Sequence, residues 1–116
     1  MNTRSTMNRG DIVSMVSSGD YGKPRPAVVV QSDYLTENDL DSVILCPITS
    51  DVSNDRAFRI PVEPTPETGL HKHSHIMADK ILAIKRQRVG KTIGHLNDET
   101  MLRLSRTLAF VIGLGQ

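Results

Sequence analysis

A single arginine stands between two prolines, and a run of valines follows at once: Lys23-Pro24-Arg25-Pro26-Ala27-Val28-Val29-Val30-Gln31. Each proline fixes its own φ at about −65° and pushes the residue before it into an extended conformation. The backbone at Arg25 therefore has little freedom even in the unfolded chain. The β-branched run after it is the pattern of a buried strand. This segment places a permanently charged, planar guanidinium at the rigid mouth of a core strand, a suitable anchor for phosphate. An ordinary surface arginine in a Pro-bracketed turn would leave the same local signature.

The rest of the chain repeats the theme of short strands cut by Pro and Gly. Ile12-Val13-Ser14-Met15-Val16 predicts a first strand, and Ala27–Gln31 the second. Tyr34–Asp41 is polar enough for no more than a short helical turn. Ser42–Cys46 predicts a third strand that stops at Pro47. Ala57–Val62 alternates with period two, and Pro61 assigns it to a sheet edge. His73–Ala78 and Ile81–Lys85 predict two short strands or one bent one. Val89–His95 contains Gly90 and Gly94, the mark of a bulge or a close approach. The one strong helical pattern comes last. Asn97 is a good N-cap, Asp98 and Glu99 suit the positive helix end, and Met101, Leu104, Leu108 and Val111 recur at helical spacing. Gly113 is positioned to stop it. Short strands followed by one amphipathic helix predict an antiparallel, barrel-like sheet with a packed helix.

Length and composition narrow the function classes. A chain of 116 residues makes one small domain. We read residues 1–8 as a flexible arm, in which Met7 is an alternative start, and residues 9–116 as a single domain. No stretch approaches the ~20 apolar residues of a membrane span, and no secretory leader is visible. The lone Cys46 fits a reducing cytoplasm and, inside Val43-Ile44-Leu45-Cys46-Pro47, reads as a small core hydrophobe. With no Trp, two Tyr and two Phe, the chain lacks the rings for stacking platforms on single strands. Charge is unevenly spread. Residues 1–71 hold six Lys/Arg against ten Asp/Glu, a net −4, and residues 72–116 hold eight against three, a net +5. The basic half includes Lys80, Lys85, Arg86, Arg88 and Lys91. That asymmetry points to a polyanionic partner, with a merely solvated basic loop as the alternative.

Four segments in order carry a family resemblance. They are Arg9-Gly10-Asp11-Ile12-Val13; the Lys23–Gln31 segment; Cys46-Pro47-Ile48-Thr49-Ser50 with Gly69-Leu70, Ser74 and Asp79-Lys80; and Gly90-Lys91-Thr92-Ile93-Gly94-His95-Leu96. The set resembles the MazF/PemK (Kid) toxins of bacterial toxin–antitoxin pairs over roughly residues 9–115. The resemblance implies a small antiparallel SH3-like/CcdB-type barrel with a C-terminal amphipathic helix, forming a cytoplasmic homodimer. It implies a sequence-selective endoribonuclease that cleaves single-stranded RNA without a metal or other cofactor. In that family the ribose 2′-hydroxyl attacks the adjacent phosphate, leaving a 2′,3′-cyclic phosphate and a 5′-hydroxyl. It also implies a cognate antitoxin whose disordered acidic tail covers the RNA groove.

Carried onto this sequence, the family's main arginine falls on Arg25 and its threonine on Thr49. Lys23, Ser50, Lys80, Lys85 and Arg86 are the expected RNA contacts. Asp79 matches an acidic position that assists catalysis in some members, although the basic residue two positions earlier in those members is Met77 here. Their histidine in the first loop is also missing: Ser17–Lys23 offers Asp20, Tyr21 and Lys23. Asp79 can equally be a structural carboxylate paired with Lys80 or Lys85. His71, His73 and His75 alternate, so an extended strand would put three imidazoles on one face, a zinc pattern. Solvated loop histidines, one of them touching RNA or donating a proton, fit the same spacing. Two other functions share the expected barrel. One is a CcdB-like DNA gyrase poison, whose terminal Trp-Gly-Ile is replaced here by Ile112-Gly113-Leu114-Gly115-Gln116. The other is a non-catalytic antitoxin-binding barrel.

Overall fold

The computed structural model describes residues 7–16, 22–38, 41–54, 56 and 58–114. The first loop's Asp20 and Tyr21 lie outside these residues, as do positions 1–6 of the expected arm. Among these residues seven strands and two α-helices run β1 (Asp11–Met15), β2 (Arg25–Val29), α1 (Asp33–Glu37), β3 (Ser42–Thr49), β4 (Arg59–Val62), β5 (Ser74–Met77), β6 (Leu82–Lys85), β7 (Val89–His95) and α2 (Asp98–Val111). All pairings are antiparallel, in the order β4-β5-β3-β2-β1-β7, with β6 also pairing β3.

The central strands are covered on both faces, which explains the uninterrupted valine run. Alternate residues of a strand point to opposite faces. Ile12, Val28, Cys46 and Ile48 pack with Leu104 and Leu108 of α2 in one cluster. Val13, Ala27, Val29, Val43 and Leu45 pack with Met15 and Ile84 in the other. Each large aliphatic side chain so buried contributes about 1.5–3 kcal/mol. Met7, 7% exposed, belongs to the second cluster, and the Asn8 N–H donates to Asp11 Oδ2 at 2.9 Å. Met7 and Asn8 are thus held against the domain, the thioether filling a core site.

β3 is the hub, and it does not stop at Pro47 as expected. Pro47 pairs with Ala27 of β2. Lacking an N–H, it can do so only in the non-hydrogen-bonded kind of pair, which turns its nitrogen toward the other edge. There β6 has ended opposite Leu45, and β5 begins only opposite Ile48. The missing donor thus falls where the strand changes neighbours. β4 is an edge strand with Ile60 and Val62 buried and Pro61 exposed, as the alternation predicts. A single 3₁₀ turn at Ala78–Lys80 separates β5 from β6.

Among the described residues the ladder does not close between β4 and β7; a loop spans the gap instead. Thr68 Oγ1 donates to the Glu63 carbonyl at 2.8 Å and accepts from the Thr65 N–H at 3.0 Å, folding residues 63–69 on themselves. The His95 N–H then donates to the Glu67 carbonyl at 2.9 Å. Gly94 permits this docking: a Cβ there would lie 2.2 Å from the Thr68 carbonyl oxygen. β7 also shifts register twice against β1, so both marks of its glycines are present. α2 begins where Asn97 accepts from the Thr100 N–H at 2.8 Å. It ends in a Schellman motif, with Gly113 at φ 81° and bonds from Leu114 N–H to Ala109 and from Gly113 N–H to Phe110.

Candidate active site

The mouth of β2, the end of β3 and the loop before β5 meet around an open cleft of about 710 Å³. Lys23–Pro26 forms one wall and Gly69–Lys72 with Ser74 another. Ile48–Asp51, Ser14 of β1 and Ile93 of β7 complete the lining. Antiparallel pairing of β2 with β3 is what brings the arginine and the threonine together. Ala27 sits opposite Pro47, so Arg25, two residues before one, shares an end of the sheet with Thr49, two residues after the other.

Each side chain is held from its backbone. Arg25 is exposed at the first position of β2, after the Pro24 bracket. Thr49 ends β3, and its Oγ1 accepts the Asp51 N–H at 3.0 Å. Accepting that bond leaves the O–H of Thr49 free to donate to a ligand oxygen. Asp51 Oδ1 accepts from Ser53 Oγ at 2.6 Å and from the Ser53 N–H at 3.1 Å. These bonds, side chain first, hold its carboxyl below the usual carboxylate range. Gly69, at φ 69°, lies beneath β7 so tightly that a Cβ would meet the Ile93 carbonyl oxygen at 2.0 Å. Its N–H donates to the Thr65 carbonyl at 2.9 Å. The lining carries Lys23, Arg25 and Lys72 against Asp51, a cationic balance suited to phosphate.

The remaining expected residues are dispersed. Lys23 and Ser50 line the cleft. Lys80, Lys85 and Arg86 do not: Lys80 ends the 3₁₀ turn, Lys85 ends β6 opposite Ser42, and Arg86 Nη1 donates to the Thr36 carbonyl at 3.3 Å. β6 pairs with the beginning of β3, whereas the cleft lies at its end. Asp79 is also outside the lining. Its Oδ1 accepts from Arg59 Nε at 3.0 Å, with the two side chains 19% and 9% exposed. The structural partner is therefore Arg59, not Lys80 or Lys85.

The three histidines part company. His71 lines the cleft. His73 Nδ1 pairs with Glu63 Oε1. His75 is buried, 4% exposed, with Nδ1 lacking a partner. Among the described residues no three His, Cys, Asp or Glu side chains form a metal-binding group. Sequence reasoning left Asp51 and Lys72 out of the site and picked out His71 only as one of three alternating histidines. For Asp51 the signal was its position two residues after Thr49. For the other two it was Gly69, whose turn aims the following residues at the cleft.

The family model described as PemK-like, MazF-like toxin of type II toxin–antitoxin system matches residues 8–112. The chain belongs to this family. It is 36% identical over 109 residues to a probable endoribonuclease MazF of Mycolicibacterium smegmatis, covering 93% of this chain and 98% of the relative. It is 26% identical over 112 residues to the endoribonuclease EndoA of Bacillus subtilis, covering 93% and 96%. In fold it resembles the Mycobacterium tuberculosis toxin MazF-mt6, with a TM-score of 0.77 at 23% identity over 91% of this chain and 99% of that one. It also resembles a MazE–MazF structure from Deinococcus radiodurans, with a TM-score of 0.79 at 18% identity over 97% and 100%. No described helix of this family member is long and apolar enough to cross a membrane.

Proposed function

We propose that this chain is the endoribonuclease toxin of a type II toxin–antitoxin pair, and that it cuts single-stranded RNA in the Arg25–Thr49 cleft. The observation that carries the reading is the convergence of those two side chains, from separate strands, on one cationic cleft in a member of this family. The ribose 2′-hydroxyl attacks the neighbouring phosphorus, the 5′-oxygen leaves, and a 2′,3′-cyclic phosphate and a 5′-hydroxyl result. The transition state places extra negative charge on the phosphoryl oxygens. Arg25 meets it with parallel donors that stay charged at neutral pH. Thr49 donates its hydroxyl proton to a phosphoryl oxygen, with its orientation set by the Asp51 N–H. Lys23, Ser50 and Lys72 hold the flanking backbone. Asp79 takes no part in the chemistry and serves the fold by pairing with Arg59.

A cognate antitoxin with an acidic, disordered tail occupies the same cationic cleft and excludes RNA, and the toxin works as a cytoplasmic homodimer. MazF–antitoxin complexes among the structural relatives support the partner. The family assignment favours ribonuclease chemistry over a gyrase poison. The test is Arg25→Ala. Because Arg25 is exposed, the variant keeps its melting temperature and its antitoxin affinity falls only modestly. Its RNA cleavage drops about 100- to 1,000-fold, the scale of losing one preorganised oxyanion donor. A variant that cleaves as well as the parent refutes the assignment.

A further inference from the structure

We propose that His71 is the general base of this reaction, its imidazole taking the proton of the attacking 2′-hydroxyl. The inference rests on the RNA-cleaving reading above and supplies the group that reading lacks. His71 is exposed and lines the same cleft as Arg25 and Thr49. Its loop is anchored on both sides. The Gly69 N–H is tied to the Thr65 carbonyl, and Ser74 Oγ donates to the Lys72 carbonyl at 2.8 Å. The ring is thus carried on a fixed backbone and is itself free to reach a ligand.

The other titratable groups that face the cleft are unsuited to accept a proton. Lys23, Arg25 and Lys72 are cations. Asp51 is turned onto Ser53, and those bonds make its carboxylate a weaker base. Of the carboxylates and imidazoles nearby, Asp79 is paired with Arg59, Glu63 with His73, and His75, opposite Thr49 in the β3–β5 pair, is 4% exposed and shut off from a ligand. Among the residues that line the cleft, His71 alone combines access with a side-chain type suited to general-base work. In the step, the O2′–P bond forms as the P–O5′ bond breaks. The 2′-hydroxyl proton passes to imidazole, the 5′-oxygen takes a proton from water, and the imidazolium returns its proton to solvent.

The test is the pH profile of kcat/KM for the full chain on a short single-stranded RNA that it cuts. It compares the parent, His71→Gln, His71→Ala with added imidazole, and His73→Gln as the off-cleft control. The parent is expected to rise with pH and then to level. His71→Gln is expected to lose about 100-fold or more and the bend with it. Imidazole should restore His71→Ala, and His73→Gln should match the parent. A His71→Gln profile with the bend intact and a rate close to the parent's overturns the assignment while leaving the ribonuclease reading standing. A correctly folded parent that cuts no RNA overturns both.

Discussion

The Arg59–Asp79 pair separates a structural carboxylate from a catalytic one, and removal of Asp79 measures which it is. Register explains how the two meet. Arg59 is opposite Met77, and Asp79 follows in the 3₁₀ turn beyond β5. The bond is a single charge-assisted contact of 3.0 Å between side chains 9% and 19% exposed. Asp79→Ala leaves a nearly buried guanidinium without its counter-charge, which costs about 3–5 kcal/mol for a fully buried pair. Residual solvent access at Asp79 puts the loss at the low end, about 3 kcal/mol. At about 2.1 cal/mol/K of unfolding entropy per residue, the 116-residue chain loses about 12 °C of melting temperature. Replacing both partners, as Arg59→Met with Asp79→Leu, should recover most of the loss, because no charge is then left buried and unpaired. Thermal unfolding is read beside RNA cleavage per folded molecule at a temperature well below the transition. Cleavage per folded molecule should stay near the parent's. An Asp79→Ala protein with an unchanged melting temperature and abolished cleavage would refute the reasoning and restore Asp79 to the chemistry.

Other expected outcomes test the scaffold of the cleft. Gly94→Ala drives a methyl group into the Thr68 and Glu67 backbone. It should cost about 3 kcal/mol, at the upper end for overpacking, seen as a lower urea midpoint with an unchanged slope. Ser53→Ala should raise the Asp51 carboxyl back toward the ordinary range in an NMR titration, since the Ser53 side-chain bond is the main cause of its depression. The sign follows: with the folded value below the unfolded one, the Asp51 contribution is intact above the ordinary carboxylate range and disappears as pH falls through the depressed value. Burial, with the Asp79 charge second, pushes the Cys46 thiol up to about 12. Alkylation at neutral pH should therefore proceed no faster than global unfolding; rapid labelling of the native protein would contradict the packing of β3.

Local physics was legible in the residues, and long-range pairing was not. The Pro-bracketed Arg25, the Asn97 cap, the Gly113 stop and the alternation of β4 are each determined within a few residues, and each appears where the pattern puts it. Pro47 misled because a missing N–H matters only against a neighbour. Which neighbour β3 has at that point depends on β5 and β6, far along the chain. The same limit applied to Asp79. Lys80 and Lys85 are its neighbours in sequence, but Arg59 reaches it across the sheet. The basic second half likewise read as one patch. Folding sends Lys72 to the cleft, while Lys85 and Arg86 go to the far end of β3. His71 was visible only as one of three alternating histidines, and the loop from Gly69 sets it apart from the other two.

The central claim is that the Arg25–Thr49 cleft cuts RNA through its own 2′-hydroxyl. The most direct measurement is incubation of the purified chain with a long single-stranded RNA in excess EDTA, with both new ends mapped at each cut. The account predicts discrete cuts that leave 2′,3′-cyclic phosphate and 5′-hydroxyl ends and that disappear in Arg25→Ala. Intact RNA in the presence of a folded protein, or 3′-hydroxyl and 5′-phosphate ends formed only when a divalent metal is supplied, would contradict it.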